Sequence, residues 1–252
     1  MSSRRSTAAP LAAYVLHHYD WSESSLILDL FTREQGRIVV AARGAKKPHS
    51  NLRAVLLPLQ RVSITLGRSA EAAEVQTLRS ADYGGGAPMP SGAALFAGFY
   101  CNELLIKLLA RHDPHPRLFD GYAATLPQLA AADDAVQAAL RAFELLLLRE
   151  IGLLPELAIE TQTQRPLRDD GRYRLDAEAG VIGVTSADGL HAAALRALGS
   201  ALDSGDLDAL RAACAGALGA LKPQLRALLH YHLGSPLLRS REAMRQTLKL
   251  IG

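Results

Sequence analysis

Arg33, Arg37, Arg43, Lys46, Lys47, His49, Arg53, Arg61 and Arg68 punctuate one short stretch of the chain, and no Asp or Glu occurs between Gln35 and Glu71 to neutralise them. Within it, Gly44-Ala45-Lys46-Lys47-Pro48-His49-Ser50-Asn51 is a basic loop of small and hydrogen-bonding residues. Small residues let a phosphodiester backbone approach, and cationic, amide and hydroxyl groups all donate to phosphate oxygens. The pattern points to a polyanion, with Arg33, Arg37, Arg43, Lys46, Lys47 and Arg53 as the candidate phosphate contacts. The bland alternative is a solvated basic face. Aromatic rings can add stacking against bases. Of the four nearby, Tyr14 and Phe31 fall in strand-like runs, so Tyr19 and Trp21, expected in a loop, are the candidates.

Other chemistry finds little support. The phosphate-binding loop of nucleotide hydrolases, the dinucleotide glycine fingerprint, His-Glu-x-x-His and Gly-x-Ser-x-Gly are all missing from the sequence. His17-His18 and His230-x-His232 do not face one another in a strand or a helix, and His112-Asp113-Pro114-His115, where a metal is conceivable, better suits a cap or turn because of its Asp-Pro step. Asp133-Asp134 and Asp169-Asp170 could suggest a metal-dependent nuclease, but no third carboxylate stands at fixed spacing. Cys101 and Cys214 lack a nearby Cys/His partner pattern, which leaves two buried thiols. The expectation is a chain without covalent catalysis, cofactor or metal.

Charge is distributed unevenly. Residues 1–80 hold 11 Lys+Arg against 6 Asp+Glu, a net of +5, and residues 81–252 hold 17 against 19, a net of −2. The positive field therefore belongs to the first third of the chain. No signal-peptide pattern and no run of about 20 apolar residues is present, so the expected compartment is the cytoplasm.

The elements that must carry these residues follow from periodicity. Ala12–His17, Ser25–Thr32, Arg37–Arg43, Val55–Leu66 and Ala72–Arg79 read as strands, with Glu34-Gln35-Gly36 as a hairpin turn. Five short strands in about eighty residues fit a small closed barrel of oligonucleotide-binding (OB) type, and a small sandwich or SH3-like barrel would give a similar pattern. Gly84 to Gly92, with Pro88 and Pro90, breaks any continuous element. Beyond it the period becomes helical: Leu95, Phe99, Ile106 and Leu109 mark one helix in Ser91–Ala110, Pro116–Ala131 another, broken near Pro127, and Val136, Leu140, Phe143, Leu147 and Ile151 form one apolar stripe. The helical period lapses from Pro155 to Val184, a turn-rich excursion with room for a short hairpin, and helices resume near Ser186. Ser235-Pro236 starts a last helix to about Leu250, carrying Arg241, Arg245 and Lys249 at every fourth position. Those cations either complement the helix dipole or extend the anion-binding surface. The fold class expected is α+β multidomain: an OB-type barrel over 1–83, a Gly/Pro linker over 84–92, and an all-α helical domain over 93–252 with an irregular insert at about 155–184.

Tyr14-Val15-Leu16-His17, the run from Trp21 to Arg37, and Ala42-Arg43-Gly44-Ala45-Lys46-Lys47 resemble the N-terminal domain of the bacterial recombination-mediator and DNA-repair family RecO. Tyr100-Cys101-Asn102-Glu103-Leu104-Leu105, Asp113–Asp120, Arg141-Ala142-Phe143-Glu144-Leu145 and Leu233–Arg241 continue the resemblance along nearly the whole chain. It implies binding of single- and double-stranded DNA, strand annealing, and action with RecR to load RecA onto DNA coated with single-stranded-DNA-binding protein (SSB). It also implies a nucleoid-associated protein that is not an enzyme. Some family members carry a four-cysteine zinc site in the insert, but residues 155–184 contain no cysteine here, so zinc is expected to be absent. The acidic SSB tail ends in an apolar residue and a free carboxylate, which calls for a cation at the rim of an apolar pocket. Arg141, in the family's Arg-x-Phe-Glu segment, is the candidate, with Glu144 placed to pair with it on a helix surface. The alternative of a different class is a helical protein-interaction scaffold with an incidental basic patch.

Overall fold

A computed structural model describes residues 9–67, 73–131, 133–234, 238–240 and 242–243. The chain divides into two compact units: Met1–Met89 with Asn102–Phe119, and Pro90–Cys101 with Asp120–Gly252.

The first unit is built on a closed five-stranded barrel, β1 (Leu11–Asp20), β2 (Leu26–Thr32), β3 (Gly36–Ala42), β4 (Arg61–Leu66) and β5 (Gln76–Tyr83), in the order β1-β2-β3-β5-β4. All pairings are antiparallel except β3 with β5. Alternate side chains point inward, so Ala13 and Val15, Leu28 and Leu30, Ile38 and Val40, and Val62 and Ile64 form the buried core. Closure leaves no free sheet edge, and the barrel is of OB type. On the other side of the wall, Tyr14 and Phe31 pack on Phe119, with ring centroids 5.3 and 5.5 Å apart.

Two local features tie the barrel to residues 102–119. In β1 the register with β2 slips between Val15 and His17, a bulge that takes Leu16 out of the ladder. The buried Asn102 side chain donates to the Leu16 carbonyl at 2.8 Å. At the β2–β3 turn, Gly36 has φ +67°, and a Cβ there would lie 2.0 Å from the Asp113 carbonyl oxygen. Only glycine fits both demands. His112 donates its N–H to the Arg37 carbonyl at 2.9 Å.

Three strand expectations need correction. Val55–Leu66 is not one strand: Val55 ends a short helix, α1 (Leu52–Val55), and β4 begins only at Arg61. Pro58, without an N–H, and Leu59, at φ +71°, break the run. The last strand runs from Gln76 to Tyr83, four residues later than Ala72–Arg79. Tyr19 lies within β1, opposite Ile27, and not in a loop.

The remaining helices are α2 (Gly92–Leu108), α3 (Pro116–Thr125), α4 (Asp133–Glu150), α5 (Ala192–Ser204), α6 (Leu207–Gly216) and α7 (Leu218–Leu233). A 3-10 turn at Leu126–Ala130 carries Pro127 in its first turn, which is where the helical pattern was expected to break. In the second unit α4 packs against that turn, α6 and α7. Every residue from Ala138 to Leu148 is buried, so α4 is covered all round and not along one stripe. Two small sheets form in the turn-rich insert and just after it. β6 (Ile159–Glu160) pairs with β7 (Arg165–Pro166), and β8 (Arg172–Asp176), β9 (Gly180–Val184) and β10 (Leu190–His191) pair in the order β10-β8-β9. Helix resumes at Ala192, after β10, later than expected. Most of the expected terminal helix, including Arg241, Arg245 and Lys249, lies outside the described residues. Among the described residues no helix is long and apolar enough to cross a membrane.

Candidate nucleic-acid interface

Five of the six candidate phosphate contacts fall at the two ends of the β2–β3 hairpin, and Arg53 lies in α1. The pairing of Leu26 with Ala42 marks one end and that of Thr32 with Gly36 the other. Six residues of strand separate them, about 20 Å at ~3.3 Å per residue. Arg43, Lys46 and Lys47 leave β3 at the first end, while Arg33 and Arg37 sit at the turn end.

At the first end, the β1–β2 loop and the loop leading to α1 are joined. The Lys46 N–H donates to the Ser24 carbonyl at 3.0 Å, and Ala45 is fully buried, so the basic loop is pinned to the barrel at both residues. Its turns are internal: Lys47 N–H donates to Gly44, which has φ +72°, and Ser50 N–H donates to Lys47. This loop is ordered by its own hydrogen bonds. Arg43, Lys47, His49 and Arg53 present exposed side chains around it. Lys46 is the exception to the expectation of uncompensated charge, because its ammonium lies 3.1 Å from the Asp20 carboxylate at the end of β1. The two residues are 26 positions apart in the chain, and the antiparallel pairing of β1 with β2 and of β2 with β3 brings them to one end of the sheet.

Two aromatic rings stand at the same end. Trp21 is 71% exposed and Tyr19 48% exposed, and the Tyr19 ring meets His17 edge-on at 4.4 Å. Backbone N–H groups of Trp21 and Ser22 both donate to Ser25, which fixes the short loop that carries the indole. A solvent-facing indole on a fixed loop is an available stacking platform.

The turn end differs. Arg37 donates through Nε and NH2 to the two oxygens of Asp29, at 2.8 and 3.0 Å, and through NH1 to the Leu109 carbonyl at 3.0 Å. Its guanidinium is engaged inside the first unit, as Arg–carboxylate forks are in folded interiors. Arg33 is exposed at the turn. Near by, His115 lies 3.2 Å from Asp113 and His112 has φ +59°, which matches the turn role expected for that motif.

Arg141 is in a different setting from the helix surface expected for it. It is 3% exposed in the second unit, with its NH2 2.7 Å from Glu144, and Glu144 also accepts a 2.5 Å hydrogen bond from Tyr100. The all-round packing of α4 puts this pair in the core. Cys101 and Cys214 are buried in the same unit, and burial pushes both thiols up, Cys214 to about 12. Both stay protonated and unreactive at neutral pH. Among the described residues no three His, Cys, Asp or Glu side chains converge on a metal site.

The family profile described as "Recombination protein O N terminal" matches residues 10–83, and "Recombination protein O C terminal" matches residues 89–242. The proteins called DNA repair protein RecO in Polaromonas sp. strain JS666, Polaromonas naphthalenivorans and Acidovorax ebreus are 54%, 53% and 51% identical to this chain. The alignments cover 92%, 97% and 99% of this chain and 94%, 98% and 100% of those proteins. With both domain profiles matched in order and half of all positions identical over nearly the full length, the chain belongs to the RecO family of DNA repair and recombination proteins.

Proposed function

We propose that this chain is a recombination mediator that binds single- and double-stranded DNA, anneals complementary strands and, with RecR, helps load RecA onto SSB-coated DNA. It does so without covalent catalysis, as a nucleoid-associated cytoplasmic protein. The observation that carries the DNA-binding part is the barrel end where the exposed Arg43, Lys47 and Arg53 surround a pinned loop beside the exposed Trp21. Cations there contact phosphates and the indole stacks on an unpaired base. On this proposal residues 1–83 form the DNA-binding domain, 84–92 the linker and 93–252 the helical domain. Arg241 and Arg245, outside the described residues, supply further phosphate contacts on this proposal. The SSB tail binds the helical domain, and the burial of Arg141 in its pair with Glu144 favours a structural role for it over direct contact with the tail.

The test combines two readouts on the full chain. Fluorescence anisotropy with a labelled single-stranded oligonucleotide, repeated across salt concentrations, should give an affinity that falls steeply as counterions compete. Annealing of complementary strands coated with SSB should accelerate when the chain is added. Salt-independent binding without annealing would favour a protein-interaction scaffold instead.

A further inference from the structure

An open groove of about 840 Å³ runs between the insert sheet and α7 within the second unit. One wall is the β8–β9 hairpin from Arg174 to Glu178 with the Ser186–Gly189 turn, and the other is a single face of α7 bearing Gly219, Pro223, Ala227 and Tyr231 at every fourth position. Gly219, without a side chain, and the small Ala227 leave the trough open, and Leu175 and Leu228 give it an apolar floor. Gln224 fixes that floor: its amide oxygen accepts from the Leu175 N–H at 2.9 Å and its amide nitrogen donates to the Asp188 carbonyl at 3.3 Å. The Tyr231 hydroxyl bridges the two walls by donating to Glu178 at 3.0 Å. The groove is thus held open by bonds to both sides, and a ligand would find it preorganised.

Its polar groups are mostly acceptors. Asp176, Glu178 and Asp188 line it against one cation, Arg174, which is itself 3.6 Å from Asp176. Pro223 has no N–H to donate to the Gly219 carbonyl one turn earlier, so the helix offers that oxygen no i+4 partner. The Tyr231 ring, 54% exposed, adds a π-face of the kind that attracts a guanidinium. Acceptors, negative charge, an aromatic wall and an apolar floor are together complementary to a planar, donor-rich cation on an aliphatic stem.

We infer that this groove binds an arginine-bearing segment of a partner protein, with the guanidinium at Glu178 and Asp188 beside Tyr231 and a neighbouring apolar side chain on Leu175 and Leu228. The site is separate from the basic barrel end and opposite to it in charge, so it does not depend on the DNA-binding proposal.

The test uses the full chain and a fluorescein-labelled peptide, acetyl-Gly-Arg-Leu-Arg-Gly-amide, in anisotropy titrations. The same peptide with citrulline or glutamate in place of arginine serves as the control. Saturable binding of the arginine peptide is expected, weaker by about tenfold or more for either control, since a charged hydrogen bond is lost. The Glu178→Gln/Asp188→Asn double variant should lose about as much, as should Ala227→Trp, which fills the trough and leaves the charges in place. Thermal melting shows whether each variant stays folded, and the charge variant decides the matter if the tryptophan does not fit. Absence of saturable binding, equal affinity for the citrulline or glutamate peptide, or equal affinity in the charge variant would overturn the inference.

Discussion

Arg37 and Asp29 stand diagonally across the β2–β3 pair, where Arg37 faces Phe31, and the guanidinium donates to both carboxylate oxygens at 2.8 and 3.0 Å. Their side chains are 13% and 4% exposed. An arginine that sequence alone offers to phosphate is therefore part of the fold. Replacing Arg37 with Ala should strand the buried Asp29 carboxylate and cost about 3–5 kcal/mol of stability in urea denaturation. The Arg37→Met/Asp29→Leu double variant should recover most of that loss, because the pair is removed together. Where Arg37→Ala stays folded, its oligonucleotide affinity should match the parent. Unchanged stability with a large loss of DNA affinity would return Arg37 to the interface.

The same physics applies to Arg141 and Glu144 in the core of the second unit. Arg141→Ala should destabilise the chain by about 3–5 kcal/mol, and Arg141→Met/Glu144→Leu by much less. Equilibrium unfolding of the two variants compares them directly. A surface pair would instead give losses of only about 0.5 kcal/mol.

Asp20 is a carboxylate that competes with phosphate for Lys46, since their charged groups lie 3.1 Å apart at the exposed end of β1. Asp20→Asn should free the ammonium and tighten binding of a single-stranded oligonucleotide by roughly twofold to fivefold, as exposed pairs are worth at most about 1 kcal/mol. Anisotropy at low salt measures it. An unchanged or weakened affinity would show that Lys46 does not face the strand.

Trp21 is the chain's one tryptophan, so its fluorescence reports on this site alone. Addition of an unlabelled oligonucleotide should quench it, and Trp21→Ala should weaken single-strand binding by about 1–3 kcal/mol, the usual worth of one stacked base. Duplex binding should change less, because paired bases are not free to stack. An indole emission that ignores the oligonucleotide would remove Trp21 from the interface.

What could be read from the sequence was local. The alternation of Leu28 with Leu30 and of Ile38 with Val40 marks strands because their inward faces fill one core. The basic loop is visible because its residues are consecutive. Pairings between distant residues were not visible: Asp20 with Lys46 depends on the register of β1, β2 and β3, and Arg37 with the Leu109 carbonyl and Asn102 with the bulge at Leu16 depend on residues 102–119 packing on the barrel. The apolar stripe of α4 correctly marked a helix but not its burial on every side, where Ala138, Ala139 and Ala142, off the stripe, are also buried. Pro58 was a signal present in the sequence, and it marks the break before β4.

If the loop at Lys46 and Lys47 holds phosphate, the slope of log affinity against log salt reports it most directly. For single-stranded DNA each phosphate contact contributes about −0.7 to that slope. Changing Lys46 and Lys47 to Glu should weaken binding to oligonucleotides of every sequence alike and flatten the slope by about 1.4 if both contacts are lost. A double variant that keeps both the parent affinity and the parent slope would contradict the account and place the DNA elsewhere.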